Sequence, residues 1–317
     1  MMNIAENPTC TKPMLGVVLS LFDGMSCGQI ALNKTGVSYG KYYASEIDKH
    51  AIKVTQHNYP DTIQLGSVIE IKGTDLPQID LLIGGSPCQG FSFSGKQLNF
   101  DDPRSKLFFE FVRLIKECKP KYWLLENVVM KKEFEQVITE HLGVEPVKIN
   151  SALVSAQNRV RLYWANFPIE QPDDKGIKLI DILEDTEMIG PSTIRGRRLN
   201  KATILGRRLN DKGKREDYNK EIPITQYLEV RATNPNKSNC LTTVAKDNVL
   251  TTMPIGRHPD AFKNNLPFRY YTIKEYCRLQ TVPENYFDGV ASENQIRKMI
   301  GNGWNVDTIA HIFGGLS

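Results

Sequence analysis

Short apolar runs alternate with longer amphipathic stretches along the first half of the chain. That alternation sets the expected fold. MLGVVLSLF (14–22) reads as a strand, and SCGQIALNKTG (26–36) as a helix closed by Gly36. KYYASEI (41–47) predicts a second strand, and DKHAIKVTQHNY (48–59) a helix with Asp48 as its N-cap. A short strand near IQL (63–65) precedes a buried one at IDLLIGG (79–85). SKLFFEFVRLIKECK (105–119) repeats apolar residues at i, i+3, i+4 and i+7, the pattern of a helix packed on one face. YWLLE (122–126) predicts a strand and KKEFEQVITEHLG (131–143) a helix ended by Gly143. VKINSALV (147–154) and VRLYWANF (160–167) predict two further strands. This spacing implies an α/β fold: a doubly wound, mainly parallel sheet with helices on both faces.

After Pro168 the texture changes. Residues 169–265 are polar, rich in Asn, Arg, Lys and Thr, and lack βα alternation. TIRGRRLN (193–200) recurs as TILGRRLN (203–210), either two turns of a basic ribbon or a chance duplication. From Tyr270 the globular texture returns, with helices expected at 272–280, 292–301 and 305–313. The expected organisation is a flexible tail (1–13), a sheet domain built from 14–168 and 266–317, and an inserted unit (169–265).

Composition narrows the class. At 317 residues, 40% of them hydrophobic and 24% charged, the chain suits a soluble protein with a large core. No apolar run approaches membrane-spanning length, and the N-terminus lacks the pattern of a secretory signal. A cytoplasmic protein with no membrane partner is expected. The six cysteines form no CxxC pair, which predicts reduced thiols and no metal site. A net charge of +4 hints weakly at a polyanionic partner.

The chemistry concentrates at strand ends. In GGSPCQGFSFSG (84–95) the glycines let the backbone turn and approach something closely. Pro87 fixes φ and donates no hydrogen bond, so Cys88 sits on a stiff ledge at the edge where open α/β sheets bind ligands. A lone cysteine is more often a small buried hydrophobe. FDGMSCG (22–28) is a glycine-containing turn from a first strand into a helix, a general nucleotide-binding device but not GxGxxG. Glu46, ending the second strand, suits two ribose hydroxyls, and the pair fits an adenosine-bearing cofactor. Glu126 in LLENV (124–128) should share the edge with Cys88. A carboxyl group beside a thiol makes sense if it works on a substrate that the thiolate attacks. Arg159 and Arg161, two apart at a strand start, point to one face and can bind an oxyanion, a phosphate or a pyrimidine O2, or serve as edge salt bridges.

Taken in order, SLFDGMSCG, SEID, GGSPCQGFSFSG, LLENV, QNRVR, CRLQTVPENYF and IGNGWNV resemble the motif set of the C5-cytosine DNA methyltransferases, over roughly residues 15–168 and 270–313. P-C-Q and I-G-N-G look most like the bacterial and phage members, while LFDGM and ENVV resemble the vertebrate de novo enzymes. The resemblance implies a class I, Rossmann-like, S-adenosylmethionine-dependent methyltransferase with a target-recognition insertion. It implies that Cys88 adds to C6 of cytosine and makes C5 nucleophilic. Glu126 would hold N3 and the exocyclic amine, with a carboxyl pKa raised by burial. Arg161 would bind O2, and Arg159 would order the thiol and its loop. Water or hydroxide would take the C5 proton before Cys88 leaves.

Cofactor contacts implied by the same motifs are Phe22 on adenine, Asp23, Gly24 and Met25 in the turn, Glu46 on the ribose and Ile47 on the base. Ser67, Val68, Ser86, Leu107, Asn302 and Trp304 would line the pocket. Ser67 stands where the family often has an acid, and Ser20 where many members have Asp, so modestly weaker cofactor binding is expected. The partner implied is double-stranded DNA with a flipped cytosine, bound by a monomer. Pro87, Gln89, Ser92, Ser94, Lys96 and Asn127 would contact it at the active site. Arg195, Arg197, Arg198, Arg207 and Arg208 would cross phosphates, and Arg231 would reach base edges. The loop from Gln89 to about Asp102 would close over the base. Two alternatives stand beside this: the transfer-RNA-methylating branch of the family, and an inactive DNA-binding regulator. The large basic insertion disfavours the first, and intact P-C-Q, E-N-V and Q-x-R-x-R disfavour the second.

Overall fold

The computed structural model describes residues 13–86, 103–184, 200–208, 210–211, 214, 216, 218–231, 234, 236–259 and 263–316. Seven strands form the larger sheet: β1 (Leu15–Leu21), β2 (Tyr39–Ser45), β3 (Ile63–Gln64), β4 (Leu81–Gly84), β5 (Tyr122–Val128), β6 (Val147–Asn150) and β7 (Val160–Ala165). Their order is β3-β2-β1-β4-β5-β7-β6. β1 pairs in parallel with both β2 and β4, so the winding reverses direction at β1. β7 alone runs antiparallel to its neighbours β5 and β6.

The pleat sends alternate residues to opposite faces, and each face has its own helical cover. Leu19, Leu21, Leu82 and Leu125 join Phe108 and Phe111 of α3 (Pro103–Cys118) and Ile138 of α4 (Lys132–Leu142) in one core. Val18, Leu81, Ile83 and Leu124 join Ile30 of α1 (Cys27–Thr35), Val54 of α2 (Lys49–Asn58) and Ile309 of α7 (Val306–Phe313) in the other. This is the three-layer Rossmann-like arrangement expected from the βα alternation. The stop signals act locally as expected. Gly36 and Gly143 close α1 and α4 in the left-handed region, at φ 72° and 73°. Asp48 accepts from the His50 amide at 2.9 Å and starts α2.

Two segments differ from the sequence expectation. The strand predicted over 147–154 stops at Asn150. Its side-chain oxygen accepts from the amides of Ala152 (3.1 Å) and Arg159 (3.0 Å), and this local bonding turns Ser151–Leu153 into a 3-10 turn. The polar insertion, for which no strands are predicted, forms a five-stranded antiparallel sheet. It contains β8 (Asn200–Arg207), β9 (Thr225–Val230), β10 (Val249–Thr251), β11 (Gly256–Pro259) and β12 (Phe268–Tyr270), in the order β11-β9-β8-β10-β12. β12 pairs with β10, although its residues fall in the stretch assigned from the sequence to the larger domain.

One face of this second sheet buries Ala202, Ile204, Leu228, Val230, Val249 and Phe268 in a small core. The opposite face docks on the larger unit near β10 and β12. Leu250 enters the larger core, and Arg269 forms a buried ion pair at 2.6 Å with Glu275 of α5 (Ile273–Gln280). The last turn of α6 (Glu293–Asn302) brings Gly301 against the backbone of Thr242 and Thr243, which leaves no room for a Cβ. Among the described residues no helix is long and apolar enough to cross a membrane.

Candidate active site

A cleft of about 350 Å³ opens at the carboxyl ends of β1, β2, β4 and β5, where the winding reverses. Its floor is the turn after β1. Phe22, Gly24 and Ser26 are left-handed there, at φ 57°, 58° and 65°. For Phe22 and Ser26 that conformation is strained, so the surroundings must hold it. Glu46 does so. Its Oε2 accepts from the Gly24 amide at 2.8 Å, and its Oε1 from the amides of Ile47 (2.7 Å) and Asp48 (2.8 Å). One carboxylate thereby fixes the ends of two adjacent strands.

Asp23, in the same turn, is buried. Its Oδ1 accepts from the Tyr42 hydroxyl at 2.9 Å, while Oδ2 is buried with no hydrogen bond among the described residues. Burial pushes the Asp23 carboxyl up to about 6, against the pull of the Ser20, Tyr42 and Ser26 hydroxyls, and the nearby Glu46 adds to the rise. Behind it, burial pushes the Cys27 thiol up to about 12, which makes it a packing group.

The paired glycines at the end of β4 now have a steric reason. A Cβ at Gly85 would lie 2.8 Å from Trp304 Nε1 and 2.9 Å from Glu126 Oε2. The bare backbone lets these groups meet. Glu126 is 9% exposed. Its Oε1 pairs with Arg161 Nε at 2.9 Å, and its Oε2 accepts from Trp304 Nε1 at 3.0 Å. The carboxylate is thus held from two sides by groups on different elements. Asn127 donates to Ser86 Oγ at 3.0 Å and ties β5 to the segment that follows β4.

The arginine pair divides its work. Arg159 is buried, and its Nη2 donates to the Gly303 carbonyl at 2.8 Å. Its Nη1 reaches the Leu241 carbonyl at 3.3 Å and Cys240 Sγ at 3.4 Å. Burial, and then the charge of Arg161, lower its pKa from the ordinary arginine value. Arg159 therefore clamps β7 to both the helix loop at 301–303 and the inserted unit. Arg161 instead turns its Nε to Glu126.

The cleft wall brings together Phe22, Asp23, Gly24, Glu46, Ser86, Glu126, Asn127, Arg159, Arg161, Asn302 and Trp304. Met25 is buried in the core, and its carbonyl accepts from the Tyr286 hydroxyl at 2.7 Å. Val68 packs in the opposite core, with Leu107 against it. Ser67 is half-buried before a 3-10 turn, and Ile47 is 78% exposed. None of these five residues lines the cleft. Pro87, Cys88, Gln89, Ser92, Ser94, Lys96, Arg195, Arg197 and Arg198 lie outside the described residues. Arg207 ends β8, Arg208 donates to the Ile222 carbonyl at 2.9 Å, and Arg231 is bonded to Glu229 at 2.7 Å.

Tyr42 and Cys240 are site neighbours that no motif announces. Tyr42 sits in an apolar-polar strand pattern and Cys240 in a polar loop, so neither carries a local signal.

A profile of the family C-5 cytosine-specific DNA methylase matches residues 17–317. The chain is 30% identical to Type II methyltransferase M1.ScrFI of Lactococcus lactis subsp. cremoris, over 92% of this chain and 75% of that protein. It is 38% identical to orphan methyltransferase M.SPRI of Bacillus phage SPR over 46% of this chain, a match that takes in only 36% of the relative's own length. Among solved structures, DNMT2 of Spodoptera frugiperda shares the fold with a TM-score of 0.63 at 18% identity, over 95% of this chain and 99% of that one. Together with a cleft at the reversal point of a Rossmann-like sheet, these matches establish that the chain belongs to the C-5 cytosine-specific DNA methylase family.

Proposed function

We propose that the chain methylates C5 of a cytosine flipped out of duplex DNA, with S-adenosylmethionine as donor and Cys88 as the covalent nucleophile. The observation that carries this reading is the Glu126 carboxylate, held between Arg161 and Trp304 across from Gly85, three residues before Cys88. A carboxyl group so fixed is suited to the N3 and exocyclic-amine edge of a pyrimidine, and the remaining donors of Arg161 to its O2.

The residues fit the cofactor. Asp23 Oδ2 is a buried acceptor without a donor among the described residues, as a cationic amine requires. Phe22 and Glu46 line the same cleft and offer a ring face and a carboxylate for an adenosine. Bound there, S-adenosylmethionine supplies the methyl group.

The chain's own task is to activate and then release the base. The Cys88 thiolate bonds to C6, which moves electron density to C5. After methylation a water or hydroxide removes the C5 proton, and the freed electron pair restores the C5–C6 double bond and expels the thiolate. Extruding the base costs a few kcal/mol, which interactions with the duplex must supply.

A duplex carrying 5-fluorocytosine tests this, since fluorine at C5 blocks proton removal and traps the adduct. Wild-type protein is expected to form a denaturant-stable complex with such a duplex and to transfer labelled methyl to duplex DNA, not to transfer RNA. Cys88→Ala is expected to lose both activities and keep DNA binding. Turnover of Cys88→Ala near the wild-type rate would sink the mechanism.

A further inference from the structure

A buried network of hydroxyls lies behind the turn that floors the cleft. Tyr42, on β2, is 2% exposed and packs in the core shared with α1. Its hydroxyl donates its one proton to Asp23 Oδ1 at 2.9 Å. Gly28 of α1 leaves room for that hydroxyl, since a Cβ there would lie 2.7 Å from the Tyr42 oxygen. Ser26 is oriented from α1. Its Oγ accepts from Gln29 Nε2 at 2.8 Å, which leaves the Ser26 proton for Asp23. Gln29 is itself buried, donating to Thr62 Oγ1 at 2.9 Å and accepting from the Tyr39 hydroxyl at 2.9 Å. The Asp23 amide donates to the Ser45 carbonyl at 3.1 Å, so its backbone is pinned as well.

The bonding is one-sided. Oδ1 has its donor, while Oδ2 is buried with none among the described residues. A buried acceptor without a partner is unfavourable, and an incoming cationic donor relieves it. A carboxyl group fixed in advance also spares the ligand the entropy of ordering it. Tyr42 does not line the cleft, so its effect on a ligand there runs through Asp23.

The ionisable groups around Asp23 are Tyr39 and Tyr42 on β2, Glu46 at its end, Cys27 on α1, Tyr59 after α2, and Tyr286. Burial pushes the Tyr39 and Tyr59 phenols and the Cys27 thiol up to about 12, and the Tyr42 and Tyr286 phenols well above the ordinary phenol value. Between about pH 5 and 8.5 these five groups carry no charge. Glu46, whose charge opposes that of Asp23, is the same in wild type and in any Tyr42 variant.

We propose that Tyr42 is a positioning residue for cofactor binding: its hydroxyl fixes Asp23 through Oδ1 and leaves Oδ2 as the acceptor for the ammonium of S-adenosylmethionine. The proposal rests on the reading of this chain as an S-adenosylmethionine-dependent methyltransferase, and it adds a residue that acts on the cofactor only through another.

Titration calorimetry tests this with two ligands: S-adenosylmethionine, and its analogue with hydrogen in place of the α-amino group. Wild type and Tyr42→Phe are compared from about pH 5 to 8.5. Wild type should bind S-adenosylmethionine best between an acid limb set by Asp23, at about 6, and an alkaline limb set by the ligand's own amine, at about 8. Tyr42→Phe keeps the ring and removes a donor that favours the charged carboxylate, so its acid limb should lie about one pH unit higher. Affinity should therefore fall about tenfold at pH 5.5 and much less at pH 7.5. The analogue, which has no ammonium, should bind the two proteins alike. A loss of equal size at every pH, shared by both ligands, would mean that the hydroxyl serves the fold alone, and overturns the proposal. Wild type supplies a check that needs no variant. At pH 5.5 its binding of S-adenosylmethionine should release a proton from Asp23, read as a difference in heat between buffers of unlike ionisation enthalpy. No release there overturns the proposal as well. If wild type binds S-adenosylmethionine and Tyr42→Phe matches it at every pH, the positioning role alone fails. If wild type binds no S-adenosylmethionine at any pH, the underlying reading fails.

Discussion

Asp23 shows how a single buried side chain can be costly to the fold. Its carboxyl is buried, one oxygen has no donor among the described residues, and its pKa rises from 3.8 to about 6. The native state therefore binds this proton more tightly than the unfolded chain does. As far as this group goes, stability is greatest below 3.8, falls as pH rises through about 6, and is level above that. Asp23→Asn should therefore raise the melting temperature at pH 7.5, by at most about 3 kcal/mol of stability, and the gain should vanish as pH falls toward 4. Thermal melts of both proteins across that range check the sign. An equal effect at every pH would mean the gain is not electrostatic. The same variant should bind S-adenosylmethionine more weakly, because the acceptor has lost its charge.

Elements were legible wherever burial on both faces left a continuous apolar run. LGVVLSL and YWLLENV sit at the centre of the sheet, and their sequence pattern suffices. The inserted strands were not legible. NKATILGR and TQYLEV cover a small core with one face only, and their other face is as polar as a loop. The reversed direction of β7 was hidden too, since periodicity does not encode strand polarity. The placement of Glu46, Glu126 and Arg161 in one cleft was readable because strand ends and motif order mark them. Cys240 was not, because it meets Arg159 across 81 residues of chain. Element packing of this kind yields a prediction at α6. Gly301→Ala would drive a Cβ into the Thr242–Thr243 backbone, and neither partner is a flexible side-chain end. A loss of about 1–3 kcal/mol in denaturant unfolding is expected, as for other overpacked positions. Activity should fall further than stability, because the Gly301 and Gly303 carbonyls also anchor Arg159. Wild-type activity in this variant would show that the Arg159 clamp is dispensable.

At the scale of the whole molecule, two sheets are joined by a polar seam. The Lys237 ammonium donates to the carbonyls of Ser155 (3.0 Å) in the larger unit and of Ile177 (2.6 Å), whose side chain packs against the larger core. The Gln157 side chain accepts from the Leu241 amide at 2.9 Å and donates to the Leu279 carbonyl at 3.0 Å. A seam so bonded should make the units unfold together. A single wild-type transition in urea is expected; Lys237→Met leaves those carbonyls without their donor, so in this variant the transition should split or broaden, with a lower m-value. A sharp single transition at an unchanged midpoint would show that the seam contributes nothing to cooperativity.

The same architecture sets a timetable for synthesis. The Met25 carbonyl waits for the Tyr286 hydroxyl, 261 residues downstream, and α1 packs on α7 near the far end of the chain. On the ribosome, the face covered early by α1 and α2 must therefore wait for its α7 cover while the whole second sheet is made. The strained turn at Phe22 acquires its Tyr286 support only when residue 286 has been made. A translation product stalled before α7 would display the part of that face which α7 covers to chaperones and proteases.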